Sequence, residues 1–330
     1  MKKGRVFLKT IAMLMLFVSL FLPASVTAGA LQMDGIENGG VANEHTAAET
    51  AEMRSVADDY ERAMAVNTYS LKTVSNRNVN AYPTVPVSHN GRSIGNVGRV
   101  INGEVYIPIR KFVESFVSGA TVSYDSGSRT VTVVGAGHNI SVSDGGYALY
   151  ASGRVFFAST PSRVLSDGRM YVPVSNISRA FGLSYDASST ASASLWGTVR
   201  AAISGDVYYD ADIVYWLSRI ISAESKGEPL IGQIAVGNVV LNRVRSKDFP
   251  NTVWGVIFDR KWGVQFSPVS NGTIYNEPTA TSILAAKICL DGFSVSSDAL
   301  YFLRPSASTS SWIVNNRPFL FVIGNHYFFA

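Results

Sequence analysis

Cysteine is almost absent from this chain: Cys289 is the only one in 330 residues. An internal disulfide framework is excluded, so stability rests on ordinary apolar cores. Cys289 itself falls in the apolar helical pattern Ser282–Leu290, which predicts a buried, inert thiol. Histidine is scarce, with four in the chain and only His326 beyond residue 200. A catalytic zinc site takes about three protein ligands, usually more than one of them His, so the C-terminal part is poorly equipped for zinc chemistry. No Ser-His-Asp or Cys-His pattern and no glycine-rich phosphate loop is visible. No cofactor is called for.

An excess of positive charge is lacking too, once the N-terminus is set aside. Lys2, Lys3, Arg5 and Lys9 precede an apolar run, Ile11 to Leu22, that is short for a membrane span, and Val26-Thr27-Ala28 offers small-residue cleavage. Residues 1–28 therefore read as a secretory signal, with a cut after Ala30 or an uncleaved anchor as the alternatives. The whole chain has 28 Lys and Arg against 24 Asp and Glu, and four of the basic residues but no acidic ones lie in the signal. The mature protein is formally neutral, without the basic stripe that nucleic-acid binding needs. The expectation is a secreted or cell-envelope protein with no nucleic-acid partner and no membrane contact in its mature form.

Residues 29–83 are acidic and poor in large apolar side chains, and read as a linker with a helix at residues 47–64. An internal repeat follows. Asn102-Gly103-Glu104-Val105-Tyr106-Ile107-Pro108-Ile109-Arg110 recurs as Asp167-Gly168-Arg169-Met170-Tyr171-Val172-Pro173-Val174-Ser175. Each copy reads as turn, strand, helix, strand, with Pro closing the first strand and opening the helix. A boundary is placed near residues 200–208, giving a repeat domain at residues 84–199 and an independent unit at residues 205–330. The fold class is α+β.

The chemistry gathers in that last unit. Asp212 to Lys226 has helical apolar spacing, Gly227 reads as its stop, and Pro229 reads as the start of a second helix. Glu224 then sits at a carbonyl end and Glu228 at an N–H end, so the helix dipoles push their pKa values up and down respectively. A carboxylic acid kept protonated near neutral pH is what cleavage of a glycosidic bond requires. A Glu pair that only caps a helix corner is the plainer reading of those two residues alone. Gln265, Phe266 and Ser267 in a loop read as a sugar-binding wall, with Phe266 as an exposed stacking ring. Ala299–Phe302 and Ile323–Phe328 read as strands of a small sheet carrying Tyr301, Asn325 and His326 as further candidate substrate-binding residues. His326 fits either a cleft wall or a satisfied core residue.

The repeat resembles the copper amine oxidase N-terminal-like stalk domain of exported proteins, although His89 and His138 have no third ligand at metal spacing and read as surface or turn residues. The C-terminal unit resembles the SleB/CwlJ-type cell-wall hydrolases. Ala223-Glu224-Ser225-Lys226-Gly227-Glu228-Pro229, Gly232-Gln233, Ala235-Val236-Gly237, Asn242-Arg243-Val244, Phe249-Pro250, Gln265-Phe266-Ser267-Pro268 and Ile323-Gly324-Asn325-His326 carry the likeness in order. It implies a lysozyme-like helical core with a short sheet, peptidoglycan as partner, Glu224 as catalytic acid, and glycan-strand cleavage of the lytic transglycosylase or muramidase type. An N-acetylmuramoyl-L-alanine amidase or a non-catalytic wall-binding protein are the alternatives. Ser225-Lys226, where the family often has Ala-Arg, and the segment Phe258–Val264 depart from its pattern and leave the preferred wall material open.

Overall fold

The repeat builds a sheet with approximate two-fold symmetry. The computed structural model describes residues 69–305 and 311–330; the export signal and the helix expected at residues 47–64 lie outside the described residues. In the N-terminal part come β1 (Thr84–Val85), β2 (Val87–His89), β3 (Arg92–Ser93), β4 (Gly98–Ile101) and β5 (Glu104–Pro108), then α1 (Ile109–Phe116). Next are β6 (Ala120–Asp125), β7 (Thr130–Gly135), β8 (His138–Ser143), β9 (Ala148–Ala151) and β10 (Arg154–Phe157). The second copy supplies β11 (Arg163–Val164), β12 (Met170–Pro173), α2 (Val174–Ala180), β13 (Ser184–Tyr185) and β14 (Ala193–Trp196).

The two repeat strands lie side by side. β5 and β12 pair antiparallel at the centre of the order β1-β4-β5-β12-β11, with Tyr106 opposite Pro173 and Tyr171 opposite Pro108. Pro108 and Pro173 end their strands and stand at the N-caps of α1 and α2, as the motif predicts. β4 and β5 form a hairpin that turns at Asn102-Gly103, whose φ angles of 52° and 79° suit the tight turn that Asn-Gly favours. A second sheet runs β10-β9-β8-β7-β6 and a third β13-β14-β2-β3. Alternate residues of β7 and β8 (Val131, Val133, Ile140, Val142) face a core shared with Phe112, Val113, Ile177 and Phe181 of the helices.

Two readings of this part change. His138 is a buried strand residue, its ring 5.0 Å from that of Phe181, and burial lowers its pKa. Residues 69–83 are not a free spacer. Val74 and Val79 are buried with Tyr106, Leu165 and Tyr171, and the Tyr69 amide donates to the Val322 carbonyl at 3.1 Å. Their few apolar side chains are spaced to clip the segment onto the folded unit.

The C-terminal part is mainly helical: α3 (Gly205–Tyr208), α4 (Ala211–Ser225), α5 (Leu230–Arg245), α6 (Val253–Ile257), α7 (Ser267–Asn271), α8 (Ala280–Leu290) and α9 (Ser311–Asn316). The small sheet has β15 (Tyr301–Leu303), β16 (Phe319–Ile323) and β17 (His326–Phe329), in the antiparallel order β15-β17-β16. Asp210 caps α4 by accepting from the amides of Asp212 and Ile213, and Thr279 caps α8 through Ser282. The central helix is α5, buried from Gly232 to Arg243. A Cβ on Gly237 would come 2.8 Å from both Cys289 Sγ and Ile221 Cδ1, so its absence sets how closely α4, α5 and α8 pack. Cys289 is buried in that junction, donates to the Ile234 carbonyl, and its thiol is pushed well above the usual range by burial.

The polar residues of α5 hold a loop. Asn238 donates to the Phe293 carbonyl and accepts from the Val295 amide, Asn242 donates to Ser296 and Ala299, and Arg243 donates to Leu300. Each buried polar group is thus satisfied while the chain is delivered into β15. The proposed boundary near residues 200–208 is crossed by a packed interface. Val155 and Phe157 of β10 join the C-terminal core. Asp291, at the end of α8, accepts from Arg154 Nε at 2.7 Å, the Val155 amide at 3.0 Å and the Tyr209 hydroxyl. No helix among the described residues is long and apolar enough to cross a membrane.

Candidate active site

The corner between α4 and α5 carries both glutamates. Glu224 occupies the last turn of α4, which ends at Ser225, and the Glu228 amide donates to the Ser225 carbonyl at 2.9 Å to close the turn. Gly227 has no left-handed φ and no neighbour near its missing Cβ, so the helix stops without a glycine cap. Pro229 is the N-cap of α5 rather than its first helical residue.

The two carboxyls live in opposite environments. Glu224 is half-buried, its carboxyl has no hydrogen-bond partner among the described residues, and burial pushes it up to about 7. Desolvation is therefore the cause of the rise, where the sequence suggested the helix dipole. Burial would raise Glu228 as well, but other groups prevail. The Asn325 amide donates to its Oε2 at 3.0 Å, the Asn325 side chain donates to its Oε1 at 2.9 Å, and Arg304 adds positive potential. Together they hold the Glu228 carboxyl below the usual range. Its charge therefore points to the β16–β17 turn and not to the N-terminus of α5.

That turn is shaped for the carboxylate. Gly324 has φ +56°, and a Cβ on it would overlap Glu228 Oε2. Gln233, buried one turn into α5, donates to the Glu228 carbonyl at 3.0 Å and accepts from Ser282 at 2.8 Å. His326 is 4% exposed, its Nδ1 lies 3.9 Å from Glu228 Oε1 without a hydrogen bond, and desolvation lowers its pKa. It is a neutral, buried wall of this cluster. In the sequence, Gln233 and Gly324 stand only as motif residues without a role, and Arg304 carries no signal of its own. A Gln in an otherwise apolar helical run, and a Gly before Asn-His at a strand end, were the available signals.

The remaining candidates gather elsewhere, around Arg243. Its guanidinium stands 4.8 Å from the Phe249 ring, 5.2 Å from Phe266 and 5.3 Å from Tyr301, and its Nη1 donates to Gln265 Oε1 at 3.5 Å. Phe266 is 3% exposed and packs against Phe302, so it cannot stack on a sugar: Arg243 and Phe302 cover the ring that the sequence suggested was open. Ser267 is exposed at the start of α7. Tyr301 pairs with Phe329, at the far end of β17 from His326, and belongs to the Arg243 cluster. An aromatic cluster with Trp254 and Tyr275 exposed lies on α4, α6 and the loop after α7, where half-buried Trp216 meets Phe258 at 5.1 Å and Tyr275 at 6.3 Å, and Trp254 stacks on Phe258 at 5.0 Å.

Among the described residues no group of three or more His, Cys, Asp or Glu is placed to hold a metal. His89 lies on β2, its ring 2.7 Å from the Gly197 carbonyl oxygen, and His138 is on β8 of a different sheet. These residues do not fit a copper centre.

Residues 227–329 match the Cell Wall Hydrolase family, and residues 87–193 match the Copper amine oxidase N-terminal domain. Glu228 lies inside the first stretch, and Glu224 just ahead of it. The spore cortex-lytic enzyme of Bacillus cereus is 40% identical over 120 residues, which cover 36% of this chain and 45% of that protein. The spore cortex-lytic enzyme of Bacillus subtilis is 40% identical over 112 residues, covering 34% of this chain and 35% of its own. The chain thus spans less than half the length of these curated relatives. A solved structure of the catalytic domain of the germination-specific lytic transglycosylase SleB from Bacillus anthracis is 39% identical, with 37% of this chain and 97% of that chain covered at a TM-score of 0.34. On these matches residues 227–329 form a domain of the cell wall hydrolase family, with a copper amine oxidase N-terminal domain at residues 87–193 ahead of it.

Proposed function

We propose that this protein is an exported enzyme that cleaves the glycan strands of peptidoglycan, with spore cortex as its substrate class. One observation carries the reading: a half-buried carboxyl without a hydrogen-bond partner among the described residues, Glu224, is raised to about 7 four residues from a carboxylate, Glu228, held ionised. Two carboxyl groups pushed apart in this way mark an acid and a charge stabiliser. The names of the relatives, spore cortex-lytic enzyme and lytic transglycosylase, support the substrate and the bond.

In the mechanism, Glu224 donates its proton to the glycosidic oxygen as the C1–O bond of N-acetylmuramic acid breaks. The resulting Glu224 carboxylate then takes the proton of the C6 hydroxyl while O6 closes on C1, giving a 1,6-anhydro end and a free 4-hydroxyl. Positive charge develops at C1 between these events, and ionised Glu228 stabilises it. Both Glu228 oxygens already accept hydrogen bonds from Asn325, which suits a fixed charge better than an attacking nucleophile. Export rests on residues 1–28, and the domain division at residues 84–199 and 205–330 belongs to the same reading.

The test is mass spectrometry of the fragments released from purified sacculi by the full mature chain. Anhydro-muramic ends are expected, with none released by Glu224→Gln. Reducing ends would assign water as the acceptor, and free stem peptides would replace the reading with an amidase.

A further inference from the structure

The repeat domain contains an open groove of about 490 Å³ between α1, β6, β7 and the turn before β12. Its walls carry Arg110, Lys111 and Arg169, with Glu114 as the one acidic residue, Tyr124 on one side and Met170 in the floor. Tyr124 is 45% exposed and Met170 is 5% exposed.

The internal symmetry explains why this groove is unfilled by the chain itself. In the β5–β12 register, Tyr106 faces Pro173 and Tyr171 faces Pro108. Continued outward in one direction, the register sets Glu104 opposite Ser175. There the Ser175 hydroxyl donates to Glu104 Oε1 at 2.9 Å, and Thr160 donates to Oε2. At the other end of the pairing the symmetry-related positions are Arg110, in the first turn of α1, and Arg169, in the turn before β12, and both line the groove. One symmetry-related site thus holds a carboxylate satisfied by two hydroxyls, and the other holds two cations. Each arginine has a long, solvent-exposed ion pair within its own segment, Glu114 at 3.8 Å from Arg110 and Asp167 at 3.7 Å from Arg169, and neither pair is a hydrogen bond. Arg110 Nη1 is further held by the Val122 carbonyl at 2.8 Å, which aims the guanidinium, and Lys111 has no ion pair among the described residues. A carboxylate supplied from outside would complete the second site as Glu104 completes the first.

We infer that this groove binds a carboxylate-bearing stem peptide of a peptidoglycan strand, with Arg110, Lys111 and Arg169 on the carboxylate and Tyr124 against the strand. The inference rests on the proposed function for its choice of ligand. It makes the repeat domain a wall-anchoring module that holds one strand while the C-terminal domain acts.

The test is co-sedimentation of the full mature chain carrying Glu224→Gln with sacculi stripped of teichoic acid. Adding Arg110→Glu and Arg169→Glu should weaken binding by at least about 10-fold, since each loses a charge-assisted bond and gains a repulsion. Both side chains are exposed, and an unchanged melting temperature checks the fold. Independently of any variant, blocking the sacculus carboxylates by amidation should weaken binding of the parent chain by a similar factor. Equal sedimentation of parent and double variant, equal binding to amidated sacculi, or binding that vanishes with the teichoic acid would each overturn the inference. Fragment release by the chain with Glu224 intact reports the proposed function separately, so the two can fail independently.

Discussion

At Glu228 a missing methyl group decides the chemistry. Gly324 occupies left-handed backbone where a Cβ would overlap the carboxylate that Asn325 is holding. Gly324→Ala should displace the turn and release Glu228, lowering cleavage by at least about 10-fold while costing about 1–3 kcal/mol of stability; kcat and urea denaturation measure both. Asn325→Ala removes one bond to Glu228 and keeps the backbone one, so its loss should be smaller. The sign of the pH effect follows from each carboxyl. Glu228 is depressed, so its contribution to stability is complete above the ordinary carboxylate range and is lost as pH falls through its folded value. Glu224 is raised, so the folded state loses stability as pH climbs from 4.5 through about 7. Glu224→Gln should remove that loss, stabilising the protein at pH 8 by on the order of 2–3 kcal/mol relative to its effect at pH 4. Melting temperatures at the two pH values test it, and an equal shift at both would contradict it.

At the level of elements, the helix corner was legible because its signals are local: apolar spacing over α4, a cap at Asp210, and a proline that opens α5. The repeat was legible for the same reason, as Asn-Gly turns and Tyr-x-Pro strand ends act within a few residues. What failed depended on partners far along the chain. Phe266 reads as an exposed ring until Arg243 and Phe302 cover it, and His138 reads as a turn residue until Phe181 packs on it. Asn325 reads as a sugar ligand, yet its two donors are spent on Glu228, ninety-seven positions away. The glycine of α5 is an element-scale device. Gly237→Ala would press a methyl group against Ile221 and Cys289, and should destabilise the chain by about 1–3 kcal/mol through overpacking. Urea unfolding of the variant checks this, and no loss would mean that the three helices have room to spare.

For the whole molecule, the interface around Asp291 ties the repeat domain to the hydrolase domain. Its carboxylate is fully buried and takes Arg154, the Val155 amide and Tyr209 together, while Val155 and Phe157 fill the C-terminal core. Arg154→Ala should cost about 3–5 kcal/mol, because it strands a buried charge. A fragment starting at residue 205 keeps Tyr209 but lacks Arg154 and the Val155 amide, and should melt below the full chain. Asp291→Asn should then act with opposite signs, lowering the stability of the full chain and raising that of the fragment, as differential scanning calorimetry of the four proteins would show. The same sign in both would mean that Asp291 does not depend on Arg154.

The state of Glu224 is the quantity on which the functional account turns, and titration of its side-chain carboxyl by carbon-13 NMR in the full chain reads it directly, with Glu224→Gln assigning the signal. The account predicts a midpoint of about 7 for Glu224, with Glu228 titrating below the ordinary carboxylate range, and cleavage falling as Glu224 loses its proton. A Glu224 midpoint near the ordinary value of 4.5, with cleavage undiminished above pH 7, would contradict it.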